Sequence, residues 1–170
     1  MVVNGFRRQL SRIFGFAPKA KARATPKPKE PTKATYPGDF TGTAKLQYAP
    51  LADGRPDPGE VVWAWVPFEE DHRQGKDRPV LVIARRGQTL LGLMLTSKDH
   101  DRDHDSEARH GRYWLDVGTG DWDREGRPSE VRLDRILQLS PTAVRREGAA
   151  LDRAAYDRVA VAVRRTKRWS

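Results

Sequence analysis

The fold is decided by three apolar runs, EVVWAWVPF (residues 60–68), PVLVIA (residues 79–84) and TLLGLML (residues 89–95), in the middle of this 170-residue chain. Val, Ile and Trp favour strands, and each run has about the length of a typical strand. A polar loop over residues 69–77 and a tight turn over residues 85–88 separate the runs. The sequence therefore predicts three successive strands, of which the second is buried on both faces.

Weaker patterns follow the third run, in which Gly92 predicts a bulge. Residues 98–111 are rich in charge and predict a long loop, whereas residues 113–117 predict a short strand. Residues 129–139 (SEVRLDRILQL) alternate apolar and charged side chains and predict another strand.

The C-terminal part of the sequence predicts a helix. Ser140 followed by Pro141 is typical of a helix start. Residues 151–165 place four apolar side chains on one helical stripe: Leu151, Ala155, Val159 and Val163. About five short strands followed by a helix predict a mainly β domain, either a small barrel or an open sheet with terminal helices.

Composition excludes several classes of function. The chain has no Cys, which rules out disulfides, thiolate zinc sites, thiol catalysis and iron–sulfur clusters. Mean hydropathy is −0.77, and no apolar run reaches the length of about 18 residues that a membrane span needs. The N-terminus lacks the unbroken apolar stretch of a secretory signal. We therefore expect a cytoplasmic protein.

The net charge of +9 lies almost wholly in the N-terminal third. Residues 1–16 form a basic amphipathic segment, and residues 17–57 form a Lys/Pro-rich linker and a partly ordered lead-in, so the domain is expected at residues 58–170. We expect residues 1–35 to contact an anionic membrane surface or nucleic acid. The alternative is a disordered, frayed terminus that aids solubility.

Residues 99–105 (DHDRDHD) alternate carboxylates and imidazoles, which are side chains that can hold a cation. The spacing fails the calcium-loop pattern, because no glycine occupies its sixth position. The sequence therefore predicts a solvated loop here and no metal site.

Polar residues at two strand ends have the chemistry to bind a phosphate. Arg78 precedes the second run, and Thr96 and Ser97 follow the third, so pairing of these strands brings all three to one rim. Arginine is a planar fork for phosphate oxygens, and hydroxyls donate hydrogen bonds to them. The alternative is an ion pair between Arg78 and a carboxylate of residues 69–71.

Arg132 and Asp134 lie two residues apart and share one face of their predicted strand. A carboxylate can act as a general base, and an arginine can stabilise charge on a phosphorane. The alternative is a cross-strand salt bridge.

These motifs, taken in chain order, resemble the PemK/MazF toxin family, which includes Kid. The resemblance covers about residues 58–165 and is carried by GEVVWAWVPF (59–68), RPVLVI (78–83), LTS (95–97) and VRLD (131–134). It implies a small SH3-like β-barrel with a C-terminal helix that acts as a homodimer. It also implies a metal-independent, cofactor-free endoribonuclease that cuts single-stranded RNA and leaves a 2′,3′-cyclic phosphate. An antitoxin protein would occupy the RNA groove.

The resemblance assigns a role to five catalytic candidates. Arg78 matches the arginine that contacts the scissile phosphate, and Thr96 matches the threonine of the Thr-Ser pair. Arg132 and Asp134 match the acid–base pair of the Kid branch, and His72, six residues before Arg78, matches its histidine. Four further residues are expected to bind RNA: Ser97, Lys76, Arg73 and Lys98.

A second function remains open on the same barrel. The related CcdB branch keeps the fold but poisons DNA gyrase and lacks nuclease chemistry. Residues 51–170 have a net charge of only +1, and the loop at residues 69–71 is acidic. These features favour a non-catalytic module that binds nucleic acid or gyrase.

Overall fold

The computed structural model describes residues 36–98 and 104–169. These residues form one antiparallel sheet system with a long C-terminal helix. The elements, in chain order, are β1 (Glu60–Pro67), β2 (Gly75–Arg86), β3 (Thr89–Thr96), α1 (His104–Arg109), β4 (Trp114–Gly118), β5 (Ser129–Arg132), β6 (Leu137–Leu139), a 3₁₀ turn (Pro141–Ala143), β7 (Val144–Ala150) and α2 (Arg153–Lys167). The predicted fold class, mainly β with a C-terminal helix, is confirmed.

The sheet runs β4-β5-β3-β2-β1-β7, and β6 pairs separately with β3. Both faces of its centre are buried. Leu81 and Ile83 of β2 enter a core shared with α2, which we call the helix-side core. Val80 and Val82 enter a second core on the opposite face, which we call the groove-side core. Burial on both faces explains why the centre of β2, residues 79–84, is continuously apolar rather than alternating.

Helix α2 and Leu151, which lies just before it, contribute the predicted stripe to the helix-side core: Leu151, Ala155, Val159 and Val163 are all buried. The helix begins two residues later than expected, at Arg153. The Asp152 carboxylate accepts a hydrogen bond from the Ala155 amide and caps the helix. The expected helix start at Ser140–Pro141 is confirmed for the short 3₁₀ turn, which Ser140 caps and Pro141 begins.

Three other predictions need correction. Residues 98–111 are not wholly loop, because α1 forms within them. Residues 129–139 form two strands, β5 and β6, which both pair with β3 on either side of a bend. Strand β7 was missed, since its sequence VRREGAA lacks apolar alternation, and it pairs with β1.

The predicted bulge has an unexpected position. Gly92 pairs with Val82, and the next pair joins Leu91 to Ala84, so the extra residue is Ile83 in β2. Gly92 instead permits close packing, because a Cβ atom there would lie 2.4 Å from Val80 Cγ1. The glycine therefore brings β3 and the β2 side chains together.

Residues 36–57, the lead-in segment, pack against the domain. Phe40 is buried in the helix-side core, and its amide donates to the Ile136 carbonyl at 2.8 Å. The Gln47 amide donates to the Ile83 carbonyl at 3.0 Å. The Tyr48 hydroxyl donates to the Leu151 carbonyl at 2.9 Å. The basic residues 1–35 lie outside the described residues, so the expected surface attachment stays a prediction.

Candidate active-site groove

A groove of about 460 Å³ crosses the end of the groove-side core. Its walls come from the end of β1 and the loop after it, from β2, β3 and β5, and from α1. The charged and hydroxyl residues that line it are Glu69, Glu70, Arg78, Thr96, Lys98, Glu107, Arg112, Arg132 and Arg135. Val66 and Met94 form part of its apolar floor.

Strand register brings Arg78 and Thr96 together. Val80 pairs with Met94 in the antiparallel ladder of β2 and β3, so the next pair with side chains on the same face is Arg78 and Thr96. Both residues line the groove. The expectation that strand pairing brings these two side chains to one rim agrees with this register.

The Arg78 guanidinium has no hydrogen bond and no ion pair within the described residues. It is half-buried, and burial lowers its pKa below the ordinary arginine value. Two carboxylates of the loop after β1 are engaged elsewhere, since Glu69 pairs with Arg132 and Asp71 with Arg73. A partly desolvated arginine without a counter-ion is a site for an anion.

Arg132 is held between two carboxylates. It is buried, with Nη2 2.7 Å from Asp134 Oδ2 and 2.9 Å from Glu69 Oε2, and its Nε lies 3.1 Å from both Asp134 oxygens. Burial alone would lower the pKa of Arg132, but the hydrogen bonds and charges of Asp134 and Glu69 raise it above the ordinary value. Arg132 therefore forms ion pairs with Asp134, two residues along the chain, and with Glu69 in the loop after β1, rather than a cross-strand salt bridge.

Asp134 lies behind Arg132 rather than in the groove. Its Oδ1 also accepts a hydrogen bond from the Tyr113 amide at 3.0 Å, and its carbonyl oxygen accepts one from Lys167 Nζ. Among the described residues, Asp134 does not line the groove. Its contacts make it a support for the arginine.

A second hollow of about 160 Å³ shares Arg78 and Thr96 with the groove. Ser97 lines this hollow together with Trp63 and Ser129. The arginine–threonine pair therefore stands at the boundary between two depressions. An extended ligand centred on Arg78 has space on both sides.

The remaining predicted site residues are divided between the groove and the open surface. Lys98 lines the groove, and its amide donates to Thr96 Oγ1 at 3.2 Å. His72 is exposed and packs edge-on against Tyr36, with ring centroids 5.0 Å apart, and it does not line the groove of the described residues. Lys76 lies over the Phe68 ring at 5.8 Å. Arg73 pairs with Asp71, whose pKa it holds well below the usual range through hydrogen bonds.

Sequence reasoning missed several charged groove residues, among them Arg135 and Glu107. Arg135 is 5% exposed and contacts Asp39 Oδ2 through Nε at 2.6 Å and the Pro67 carbonyl through Nη1 at 2.7 Å. Glu107 of α1 accepts hydrogen bonds from Arg112 and Trp114. The signal for Arg135 was its place directly after Arg132-x-Asp134, where a charged residue interrupts an apolar segment. Glu107 had no signal, because its helix lies in a charged stretch that predicts a loop.

Within residues 36–98 and 104–169, no group of three or more His, Cys, Asp or Glu side chains is placed to hold a metal ion. Most of the alternating segment at residues 99–105 lies outside the described residues. In the same part of the chain, no helix has the length and apolar character to cross a membrane.

Comparisons with known proteins place the chain in a family. A search of curated proteins found no match. A crystal structure of MazE-MazF from Deinococcus radiodurans is similar, with 19% sequence identity and a TM-score of 0.49 over 69% of this chain and 100% of the matched chain. The profile of a family described as PemK-like, MazF-like toxin of type II toxin-antitoxin system matches residues 57–166. That match spans most of the chain, and on this ground the chain belongs to the PemK-like, MazF-like toxin family.

Proposed function

We propose that this protein is an endoribonuclease toxin that cleaves single-stranded RNA. The ribose 2′-OH attacks the adjacent phosphate, and the products carry a 2′,3′-cyclic phosphate and a 5′-OH. The observation that carries the proposal is the half-buried Arg78, which has no counter-ion among the described residues and stands beside Thr96 in the groove. Enzymes of the matched family are generally endoribonucleases.

RNA cleavage needs a site that binds the scissile phosphate and a second positive charge beside it. Arg78 binds the scissile phosphate, and the Thr96 hydroxyl donates to one of its oxygens. Arg132 lines the same groove and stabilises the negative charge that develops on the phosphorus oxygens during attack. The resemblance to the Kid branch gives proton removal to Asp134 and a supporting phosphate contact to His72.

RNA on either side of the cut would occupy the two depressions. Ser97 would contact the strand in the second hollow, and Lys98 would contact it in the groove. Arg73 in the β1–β2 loop and Lys76 at the start of β2 are both exposed and would meet more distant phosphates. The groove also contains carboxylates, so binding should be modest and should weaken as salt increases.

The family relationship also suggests partners. We propose that two copies of the chain form a homodimer and that an antitoxin protein covers the groove. We also propose that the active protein acts in the cytoplasm, with residues 1–35 as an added contact to nucleic acid or an anionic membrane surface. Residues 1–35 contain nine basic side chains and one acidic side chain.

The test is cleavage of a long single-stranded RNA by purified protein in EDTA, with 5′ ends mapped and 3′ ends examined for cyclic phosphate. Arg78→Ala should lower the cleavage rate by about 10²–10³-fold, the usual effect of removing one donor to developing charge. Arg158→Ala is the control, because it removes the same charge from an exposed position on α2. Equal rates for Arg78→Ala and the unchanged protein would refute the site.

The acidic groove favours one alternative, a module that binds nucleic acid or gyrase without cleavage. Glu69, Glu70 and Glu107 all line the groove and oppose a polyanion. This alternative predicts no cyclic phosphate at high protein concentration, together with measurable binding to RNA, DNA or gyrase. Recovery of the cyclic product from folded protein would exclude it.

A further inference from the structure

We propose that Glu69, rather than Asp134, is the catalytic carboxylate that removes the proton from the attacking 2′-OH. In this assignment Asp134 is a positioning residue that holds Arg132. The inference rests on the proposed ribonuclease activity and specifies how its site works.

Asp134 is poorly placed to accept a proton from a ligand in the groove. Its side chain is 17% exposed, and each of its carboxylate oxygens accepts at least two hydrogen bonds, from Arg132 or the Tyr113 amide. A general base must reach the proton with a free lone pair at about 2.6–3.2 Å. The buried Arg132 guanidinium occupies the positions from which Asp134 could do so.

Glu69 has both the access to the groove and the free lone pair that a general base needs. Its side chain is 56% exposed and lines the groove that contains Arg78 and Thr96. Its Oε2 accepts a hydrogen bond from Arg132 Nη2 at 2.9 Å, and its Oε1 has no hydrogen-bond partner within the described residues. One oxygen is therefore anchored and the other is available to a ligand.

The positive charge of Arg132 offsets the repulsion between the Glu69 carboxylate and a bound phosphate. Its charge lies between Glu69 and Asp134, and Arg78 adds a second positive charge to the same groove. The anchor also fixes the direction of the Glu69 carboxylate, which reduces the loss of rotamer freedom when the substrate binds. Glu70 lines the groove too, but no hydrogen bond or ion pair holds its side chain within the described residues.

Glu69 Oε1 takes the proton of the 2′-OH, and the oxygen uses its electron pair to form the O2′–P bond. The P–O5′ bond breaks, and the leaving 5′-oxygen takes a proton from water to give a 5′-OH. The Glu69 carboxylic acid then returns its proton to the solvent. Arg132 and Arg78 remain protonated and stabilise the phosphorane oxygens.

Glu69→Gln tests the assignment, with Asp157→Asn as its control, because it makes the same carboxylate-to-amide change at an exposed position on α2 outside the groove. Glutamine keeps the shape of Glu69 and its carbonyl can still accept from Arg132, but it cannot take a proton. We expect kcat for Glu69→Gln to fall by about 10²–10⁴-fold, the usual contribution of a general base. The KM should stay equal or fall, because a negative charge leaves the groove. Asp157→Asn should keep kcat within about threefold.

Binding of an RNA with a 2′-deoxy sugar at the cut site separates catalysis from structure. This analogue cannot react, and Glu69→Gln should bind it at least as tightly as the unchanged protein does. Weaker binding by more than about threefold would assign Glu69 a structural role and overturn the proposal. Asp134→Asn should retain more activity than Glu69→Gln, because asparagine can still accept from Arg132.

Other outcomes also decide the question. If Glu69→Gln cleaves as fast as the unchanged protein or faster, Glu69 is no base, and a lower KM would show that it competes with phosphate for Arg132. If Asp134→Asn is inactive while Glu69→Gln is active, the family assignment stands. If the unchanged, folded protein gives no cleavage at all, the proposed function fails and this proposal fails with it.

Discussion

The ion pair between Asp39 and Arg135 allows a quantitative test of whether the lead-in segment belongs to the folded domain. Arg135 is 5% exposed, and Asp39 Oδ2 lies 2.6 Å from its Nε. Arg135 Nη2 is buried with no hydrogen-bond partner within the described residues. Within the described residues, Asp39→Asn would therefore leave the buried Arg135 guanidinium with only the Pro67 carbonyl and a neutral amide as hydrogen-bond partners.

The expected cost follows from this burial. Removing one partner of a fully buried ion pair costs about 3–5 kcal/mol, and the Asp39 side chain is 28% exposed, so we expect a loss of about 2–3 kcal/mol in the free energy of unfolding. That loss corresponds to a decrease in Tm of roughly 5–10 °C for a domain of this size.

The assay is urea unfolding followed by the fluorescence of the five tryptophans. Asp157→Asn is the control, because it breaks the exposed ion pair with Arg153 on α2 and should cost only about 0.3–0.5 kcal/mol. A loss below about 0.5 kcal/mol for Asp39→Asn would refute the reasoning. It would mean that the lead-in segment contributes little to the stability of the domain.

Two further predictions concern stability. The Tyr156 hydroxyl donates to the carbonyls of Gln47 and Ile83, and burial raises the pKa of Tyr156 to about 12. The unfolded tyrosine titrates near pH 10, so the stability from the protonated form is complete below pH 10 and is lost as pH rises towards 12, by about 1.4 kcal/mol per pH unit. Tyr156→Phe should cost about 1 kcal/mol at pH 7 and flatten this alkaline decline in urea titrations, whereas an unchanged slope would contradict the assigned cause. Gly92→Ala should lower the free energy of unfolding, measured by urea titration, by about 1–3 kcal/mol, because its Cβ would lie 2.4 Å from Val80 Cγ1. An unchanged free energy of unfolding would show that the strands separate easily.

Local sequence patterns predicted the elements whose burial is periodic. The three apolar runs became β1, β2 and β3, and the stripe from Leu151 to Val163 became the buried face of α2. Strand β7 lacks this signal, because its residues are charged or small and its place is fixed by pairing with β1. The lead-in segment was only partly predicted, since its contacts use backbone groups and single aromatics such as Phe40.

In the candidate site, too, local patterns predicted some residues, whereas others depend on long-range contacts. Arg78 and Thr96 occupy strand ends, so the register of two predicted strands was enough to expect them on one rim. The bridge from Arg132 in β5 to Glu69 in the β1–β2 loop joins residues 63 positions apart, so no local pattern predicts it. Sequence placed Glu69 in an acidic loop, and only the three-dimensional contact distinguishes it from Glu70 and Asp71.

The packing of the lead-in segment has a consequence for residues 1–35. The segment begins at Tyr36, whose ring contacts His72 and whose hydroxyl donates to Asp39, the partner of the groove residue Arg135. The point at which residues 1–35 join the domain therefore lies near the groove. Such linkage raises the effective concentration of a bound polymer at the second site, so that two weak contacts combine into avidity for one long strand.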